Sequence, residues 1–247
     1  MNTIHELNPT RPNSAMVLAA GLGTRMRPIT DTLPKPLVKV HGKALLDHAI
    51  DAVESVGVKQ VVVNVHHHAD QMETHLAERH HPIIAVSDER EELLDSGGGI
   101  AKALPMLGKN PFFLLNSDTF WIEGCTPNLK RMMDFWQADK MDVLLMLSSV
   151  AGAVGYTNKG DFTMDGDGRL TRRKERTTAP FAYAGAAIVS PKIFEHAPEG
   201  RFSLNLLFDE AIEKGRLFGM NMDGLWLHVG TPEAIRDAEE AIARSAA

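Results

Sequence analysis

Apolar residues in this chain come in short, nearly unbroken runs separated by amphipathic stretches. The runs AMVLAA, KQVVVNV, PIIAVSD, FFLLNSD and DVLLMLSSV have the length and β-branched content of buried strands. Between them, LLDHAIDAVESVG sets Leu46, Ile50, Val53 and Gly57 along one helical stripe, and DQMETHLAER, GGIAKALPML and NLKRMMDFWQ follow with helical spacing. Strands alternating with helices predict an α/β fold, a Rossmann-like doubly wound sheet that is mixed but mainly parallel.

After residue 150 the rhythm changes. FTMDGDGRLTRR reads as a hairpin around DGDG, and FAYAGAAIV as another buried strand. SLNLLFDEAIEKG and PEAIRDAEEAIARS read as helices, the second capped by Thr231 with Pro232 at its first position. There is no internal repeat, low-complexity tract or Pro/Gly/Ser linker. The expected organisation is a flexible N-terminal tail over residues 1–14 and a single domain over 15–247, its irregular half closing a pocket on the α/β half.

Composition narrows the function classes. With 247 residues, 44% hydrophobic and 23% charged, the chain can bury a full core. A formal charge of -6 and a pI near 6.0 argue against a broad basic surface, so no nucleic-acid partner is expected and any phosphate must be held by a few local cations. Cys125 alone allows no internal disulfide. The opening MNTIHELNPTRPNS has no apolar core, and no stretch approaches the roughly 20 apolar residues of a membrane span. A cytoplasmic protein without a membrane partner is expected.

The candidate chemistry begins at LAAGLGTRMRPITDTLPKP, residues 18–36, directly after the first strand. Ligands of open α/β sheets bind beyond the carboxyl ends of strands. Gly21 and Gly23 let backbone N–H groups approach a polyphosphate, and Arg25, Arg27 and Lys35 can supply charge. A plain glycine turn with solvated basic residues is the alternative for GLG alone. A dinucleotide fingerprint would need a small residue where Met26 stands, and a Walker loop needs Gly-Lys-Ser/Thr, which is absent.

Taken whole, LAAGLGTRMRPIT followed by LPKPLVKVHGKALLDHAI resembles the signature of the sugar-1-phosphate nucleotidylyltransferases. The likeness continues through VVVNVHHHADQME, ELLDSGGGI, FFLLNSD, FAYAGAAIV and WLHVGTPEAI, nearly the whole ordered chain. It implies the nucleotide-diphospho-sugar transferase fold and a reaction joining a nucleoside triphosphate to a sugar-1-phosphate with release of pyrophosphate. It also implies nucleotide contacts from Ala20, Gly21, Gly23, Thr24, Arg25, Lys35, Asn64, Gly97 and Gly98, with the glycine-containing loop at 95–100 reading the base edge. Arg25, Lys35 and Asp118 are the implied catalytic residues.

Asp118 is the implied metal ligand, for Mg²⁺ with Mn²⁺ as the alternative; a turn cap is the other reading of that aspartate taken alone. Ser117 stands before it where the family commonly has glycine. His228, in WLHVGTP, stands where relatives carry a second metal-binding aspartate, and imidazole favours softer ions than Mg²⁺. It either ligates such a metal, orients a metal-bound water, or leaves the ion to Asp118. The implied sugar-phosphate contacts are Asn116, Lys174, Glu175, Gly185 and Asn205, with the Glu-Lys order of the family reversed at 174–175. His66, His67 and His68, with His75, His80 and His81 nearby, lack a cysteine partner and read as loop histidines rather than a zinc site.

Within the family, the compact length and the LLDSGGGI loop most resemble the N-acetylmuramate 1-phosphate uridylyltransferases of bacterial cell-wall recycling, favouring UTP. Mannose-1-phosphate guanylyltransferases share many of the patterns, and a nucleotide-binding sensor without turnover would also tolerate His228. Oligomeric state is left open.

Overall fold

The computed structural model describes residues 11–245. The first strand, β1 (Ser14–Leu18), leads into a long loop and the short pair β2 (Lys39–Val40) and β3 (Lys43–Ala44). Then follow α1 (Leu45–Ser55), β4 (Gln60–Val65), α2 (Ala69–Ala77), β5 (Ile83–Asp88), α3 (Asp95–Leu107) and β6 (Phe112–Asn116). After these come β7 (Thr119–Glu123), α4 (Asn128–Phe135), β8 (Val143–Ser149), β9 (Phe162–Met164), β10 (Leu170–Arg172) and β11 (Phe181–Val189). The chain closes with α5 (Asn205–Glu213), β12 (Leu217–Asn221), β13 (Gly224–His228) and α6 (Pro232–Ser245).

Buried apolar runs form the centre of one mixed sheet. β6, β1, β4 and β5 lie side by side and parallel, because α1, α2 and α3 carry the chain back over the sheet between β1 and β4, β4 and β5, and β5 and β6. β11 joins β6 antiparallel, β8 lies against β11, and β12 runs parallel to β8. The β9–β10 hairpin closes the DGDG turn at the sheet edge, where Asp165 accepts from the backbone N–H groups of Asp167 and Arg169. Helices cover both faces. One core packs α1, α2 and α4 against the sheet around Val17, Val63, Ile50 and Met72; the other packs α3 and α5 around Leu114, Ile100 and Leu207. Fully burying one such side chain contributes about 1.5–3 kcal/mol.

The α/β expectation thus matches the architecture, and no helix among the described residues is long and apolar enough to cross a membrane. Several boundaries move. Gly57 is not part of the α1 stripe: it adopts φ 87°, donates to the Glu54 carbonyl at 2.9 Å, and is followed by Val58 N–H bonding the Val53 carbonyl at 3.2 Å. That pattern ends a helix in a left-handed turn, where glycine avoids a Cβ clash. The tail boundary at residue 14 also moves. Ser14 already belongs to β1, Pro12 is buried, and Arg11 reaches Asp134 at 3.4 Å; residues 1–10 of that expected tail lie outside the described residues. β7, β12 and β13 were not expected as strands. β7 and β13 form a separate antiparallel ribbon: Trp226 packs into the first core, Phe120 and Leu227 pack with Met26 and Val229, and the ribbon ends at the site with His228.

Candidate active site

The loop after β1 is folded on itself rather than slack. It contains three single 3₁₀ turns, at Thr24–Met26, Ile29–Asp31 and Lys35–Leu37, pinned by the fully buried Met26. The Gly23 carbonyl accepts the Met26 N–H and the Thr30 hydroxyl, each at 2.8 Å. A Cβ on Gly23 would stand 2.9 Å from the Thr30 methyl and 3.0 Å from Lys35 Cβ, so the two ends of the loop close only over glycine. Pro34 is extended and Pro36 sits in the following turn, which fixes the stem of Lys35.

Asp118 is placed by two strands. At the end of β6 the Ser117 hydroxyl donates to the Leu18 carbonyl at 2.7 Å, locking β6 to the end of β1. The serine found where the family commonly has glycine therefore performs a structural task. On the other side, Val229 N–H donates to the Asp118 carbonyl at 2.9 Å, continuing the ribbon in which Thr119 pairs with His228. The ribbon thereby brings together two residues far apart in sequence.

Three titratable side chains meet there. Lys35 Nζ lies 2.8 Å from Asp118 Oδ2, and His228 Nε2 lies 4.0 Å from the same oxygen. The Lys35 and Asp118 side chains are only 12% and 25% exposed, so their attraction is weakly screened. Burial works to raise the Asp118 pKa, but the charge and hydrogen bond of Lys35, with His228 and Arg25, hold it below the usual carboxylate range. His228 Nδ1 lies 3.2 Å from the Gly155 carbonyl, which can only accept, so Nδ1 carries a proton and the ring turns Nε2 toward Asp118. One carboxylate oxygen set and one imidazole nitrogen, oriented from behind, suit a divalent ion completed by phosphate and water oxygens. Among the described residues no group of three or more His, Cys, Asp or Glu could hold a metal, and the run His66–His68 makes none. Those histidines are framework instead: His66 Nδ1 bonds the Glu89 carbonyl at 2.7 Å, and His67 Nε2 the Thr30 carbonyl at 3.1 Å.

A cavity of about 460 Å³ opens beside this cluster at the carboxyl ends of β1, β4 and β6. Ala20, Gly21, Gly23, Thr24, Arg25 and Lys35 line one wall, and Asn64, Asn116 and Asp118 the floor. Other expected residues stand elsewhere. Gly97 and Gly98 lie inside α3, and their N–H groups donate to the Phe202 carbonyl at 2.9 and 3.2 Å, which leaves neither free to read a base. They are glycine because a Cβ on Gly97 would strike the Phe202 ring and one on Gly98 the Gly200 carbonyl. Lys174 and Glu175 sit in an exposed turn after β10, and Asn205, exposed at the start of α5, accepts from Arg172 at 2.8 Å. None of these lines the cavity. Gly185 lies at the irregular point of the β11–β8 pairing, packed on Thr119 next to Asp118. The far wall is made by Leu93, Asp95 and Ser96, from the segment expected to face the base, together with Glu89 and Arg201, which were not anticipated.

Comparison with known proteins places the chain in a family. The Nucleotidyl transferase family model matches residues 14–245. The chain is 43% identical over 238 residues to N-acetylmuramate alpha-1-phosphate uridylyltransferase of Caulobacter vibrioides, covering 95% of this chain and 98% of that one. It is 30% identical to the mannose-1-phosphate guanylyltransferase catalytic subunit beta of Danio rerio, over 89% of this chain and 61% of that one. The crystal structure of apo UDP-glucose pyrophosphorylase superimposes with a TM-score of 0.77 at 17% identity, covering 96% of this chain and all of the other, a likeness of fold. The chain belongs to the nucleotidyl transferase family and is a sugar-1-phosphate nucleotidylyltransferase.

Proposed function

We propose that this protein transfers the uridylyl group of UTP to N-acetylmuramate 1-phosphate, as in peptidoglycan recycling, and releases pyrophosphate. The carrying observation is the meeting of Lys35, Asp118 and His228 at the edge of a cavity, with Arg25 on the same wall and close enough to lower the Asp118 pKa. The choice of substrates is supported by the near full-length likeness to the Caulobacter vibrioides uridylyltransferase. The guanylyltransferase relative is less similar, and the chain spans only 61% of its length.

In this reading a phosphate oxygen of the sugar phosphate attacks the α-phosphorus of UTP in line, the new P–O bond forming as the bond to the β-phosphate bridge breaks. Negative charge builds on the departing pyrophosphate. Arg25 offers a planar fork to its oxygens, and Lys35 exchanges Asp118 for phosphate oxygen near the reacting centre. Asp118 and Nε2 of His228 would hold the divalent cation, Mg²⁺ or Mn²⁺. When bound, that cation neutralises phosphate oxygens as a Lewis acid. Asn116, beside Asp118 on the cavity floor, faces the sugar phosphate, while the buried Gly185 supports Thr119 behind Asp118.

The test is a pyrophosphate-release panel crossing UTP, GTP, CTP, ATP and dTTP with N-acetylmuramate 1-phosphate, mannose-1-phosphate and glucose-1-phosphate. UTP with N-acetylmuramate 1-phosphate is expected to give the largest kcat/KM. A larger value for GTP with mannose-1-phosphate would overturn the substrate assignment.

A further inference from the structure

Both ends of the Asn64 amide are engaged by neighbouring segments of this chain. Its Oδ1 accepts the Ala19 N–H at 2.7 Å, at the first residue of the phosphate loop. Its Nδ2 donates to Glu89 Oε1 at 2.7 Å. Glu89 Oε2 in turn accepts the Leu94 N–H at 3.1 Å, at the entrance to α3. Glu89 is 1% exposed and Asn64 3% exposed, and neither forms an ion pair among the described residues. Room for the carboxylate is made by Gly99, where a Cβ would stand 2.6 Å from Glu89 Oε1. The directions are fixed by chemistry: a backbone N–H can only donate, so the Asn64 oxygen must face Ala19 and its amide nitrogen must face Glu89.

We infer that Glu89 and Asn64 are positioning residues, a buried relay that couples the segment entering α3 to the phosphate loop and so holds the Arg25 wall of the cavity opposite the Asp95–Ser96 wall. A buried carboxylate without a cation is costly unless its lone pairs are taken by donors, and here the donors are supplied by the two segments that must be held in register. The relay rests on the reading of this cavity as the nucleoside triphosphate site. It needs no contact between Glu89 and substrate.

The test is a donor swap. Asn64→Asp sets a second carboxylate against that of Glu89, and two carboxylates at hydrogen-bond distance cannot both ionise. This variant is expected to lose about 30-fold in kcat/KM for UTP, the scale of a broken buried hydrogen-bonded pair, with KM for the sugar phosphate little changed. Its activity relative to wild type should rise as pH is lowered and the pair takes up a proton. Glu89→Gln alone leaves one amide nitrogen facing either Asn64 or the Leu94 N–H, and an intermediate loss is expected. The double variant Asn64→Asp/Glu89→Gln restores every partner with one bond reversed. It is expected to recover to within about fivefold of wild type and to lose the altered pH profile. Should Asn64→Asp alone not fold, the double variant still decides. A folded double variant no better than the worse single one, or an Asn64→Asp protein with wild-type kinetics, would overturn the relay. Wild-type protein that binds no nucleoside triphosphate in a direct titration would overturn the reading of the cavity as well.

Discussion

At the scale of single residues, the site is a small set of charges with separable tasks. In the proposed reaction Arg25 and Lys35 face developing negative charge, so Arg25→Ala or Lys35→Ala is expected to lower turnover about 100-fold or more, roughly 3 kcal/mol of transition-state stabilisation, with the fold intact. Steady-state kinetics at saturating metal check this, and near-normal efficiency in both variants would remove the loop from the mechanism. Asp118→Asn keeps the shape but loses the charge that Lys35 and a cation require, and activity should nearly vanish. His228→Asp puts hard oxygen in place of nitrogen, so Mg²⁺ and Mn²⁺ activation curves are expected to shift toward Mg²⁺ with activity retained. Because the folded Asp118 pKa is depressed, the stabilising effect of its pairing with Lys35 is fully present above the ordinary carboxylate range. It is lost as pH falls through the folded value.

At the scale of elements, the site depends on pieces of backbone that touch no substrate. Gly155 has φ 73°, its N-terminal neighbour Val154 bridges to Leu227, and its carbonyl orients His228; a Cβ there would strike the His228 carbonyl. Gly155→Ala is therefore expected to destabilise the protein by about 1–3 kcal/mol and to lower metal-dependent activity further than its Tm shift explains. Thermal unfolding beside a metal titration separates the two effects, and unchanged metal activation would contradict the orienting role.

Element scale is also where sequence reading succeeds and fails for physical reasons. The strands β1, β4 and β6 were legible because burial on both faces leaves continuous apolar runs. The ribbon β7–β13 was not, because TFWIE and GLWLH become strands only by pairing with each other across the chain. Arg25, Lys35 and Asp118 were legible from the company of motifs around them. Glu89 and Arg201 were not, since one acid among the four of SDEREE and a lone arginine in EGRFS carry no local pattern that announces a cavity wall. The glycines at 97–99 were visible, but their cause, the close approach of Phe202, Gly200 and Glu89, is a long-range contact. Lys174 and Glu175 look like ligands in sequence, yet lie on an exposed turn away from the cavity.

At the scale of the whole molecule, the two cores meet at a sheet whose carboxyl edge carries the chemistry, so stability and activity share residues. His48 on α1 illustrates this, its ring stacked on Phe120 of β7 at 4.1 Å between centroids. Burial, with the nearby charge of Lys43, holds its pKa below the ordinary histidine value. The unfolded chain therefore takes up that proton first as pH falls. The stability due to neutral His48 is fully present above about pH 6.5 and is lost on descending toward the folded value. Denaturant unfolding at pH 7.5 and 5.5 should show lower stability at 5.5, and His48→Phe should narrow the difference; an unchanged pH dependence in the variant would count against this assignment.

The central claim is direct uridylyl transfer at the Lys35–Asp118–His228 cluster, with no nucleotide held covalently by the protein. It is tested most directly by turning over one diastereomer of UTP carrying sulfur on the α-phosphorus, with N-acetylmuramate 1-phosphate as acceptor, and determining the configuration at phosphorus in the product. A single in-line displacement predicts inversion. Retention, or a nucleotidyl adduct on His228, would contradict the account.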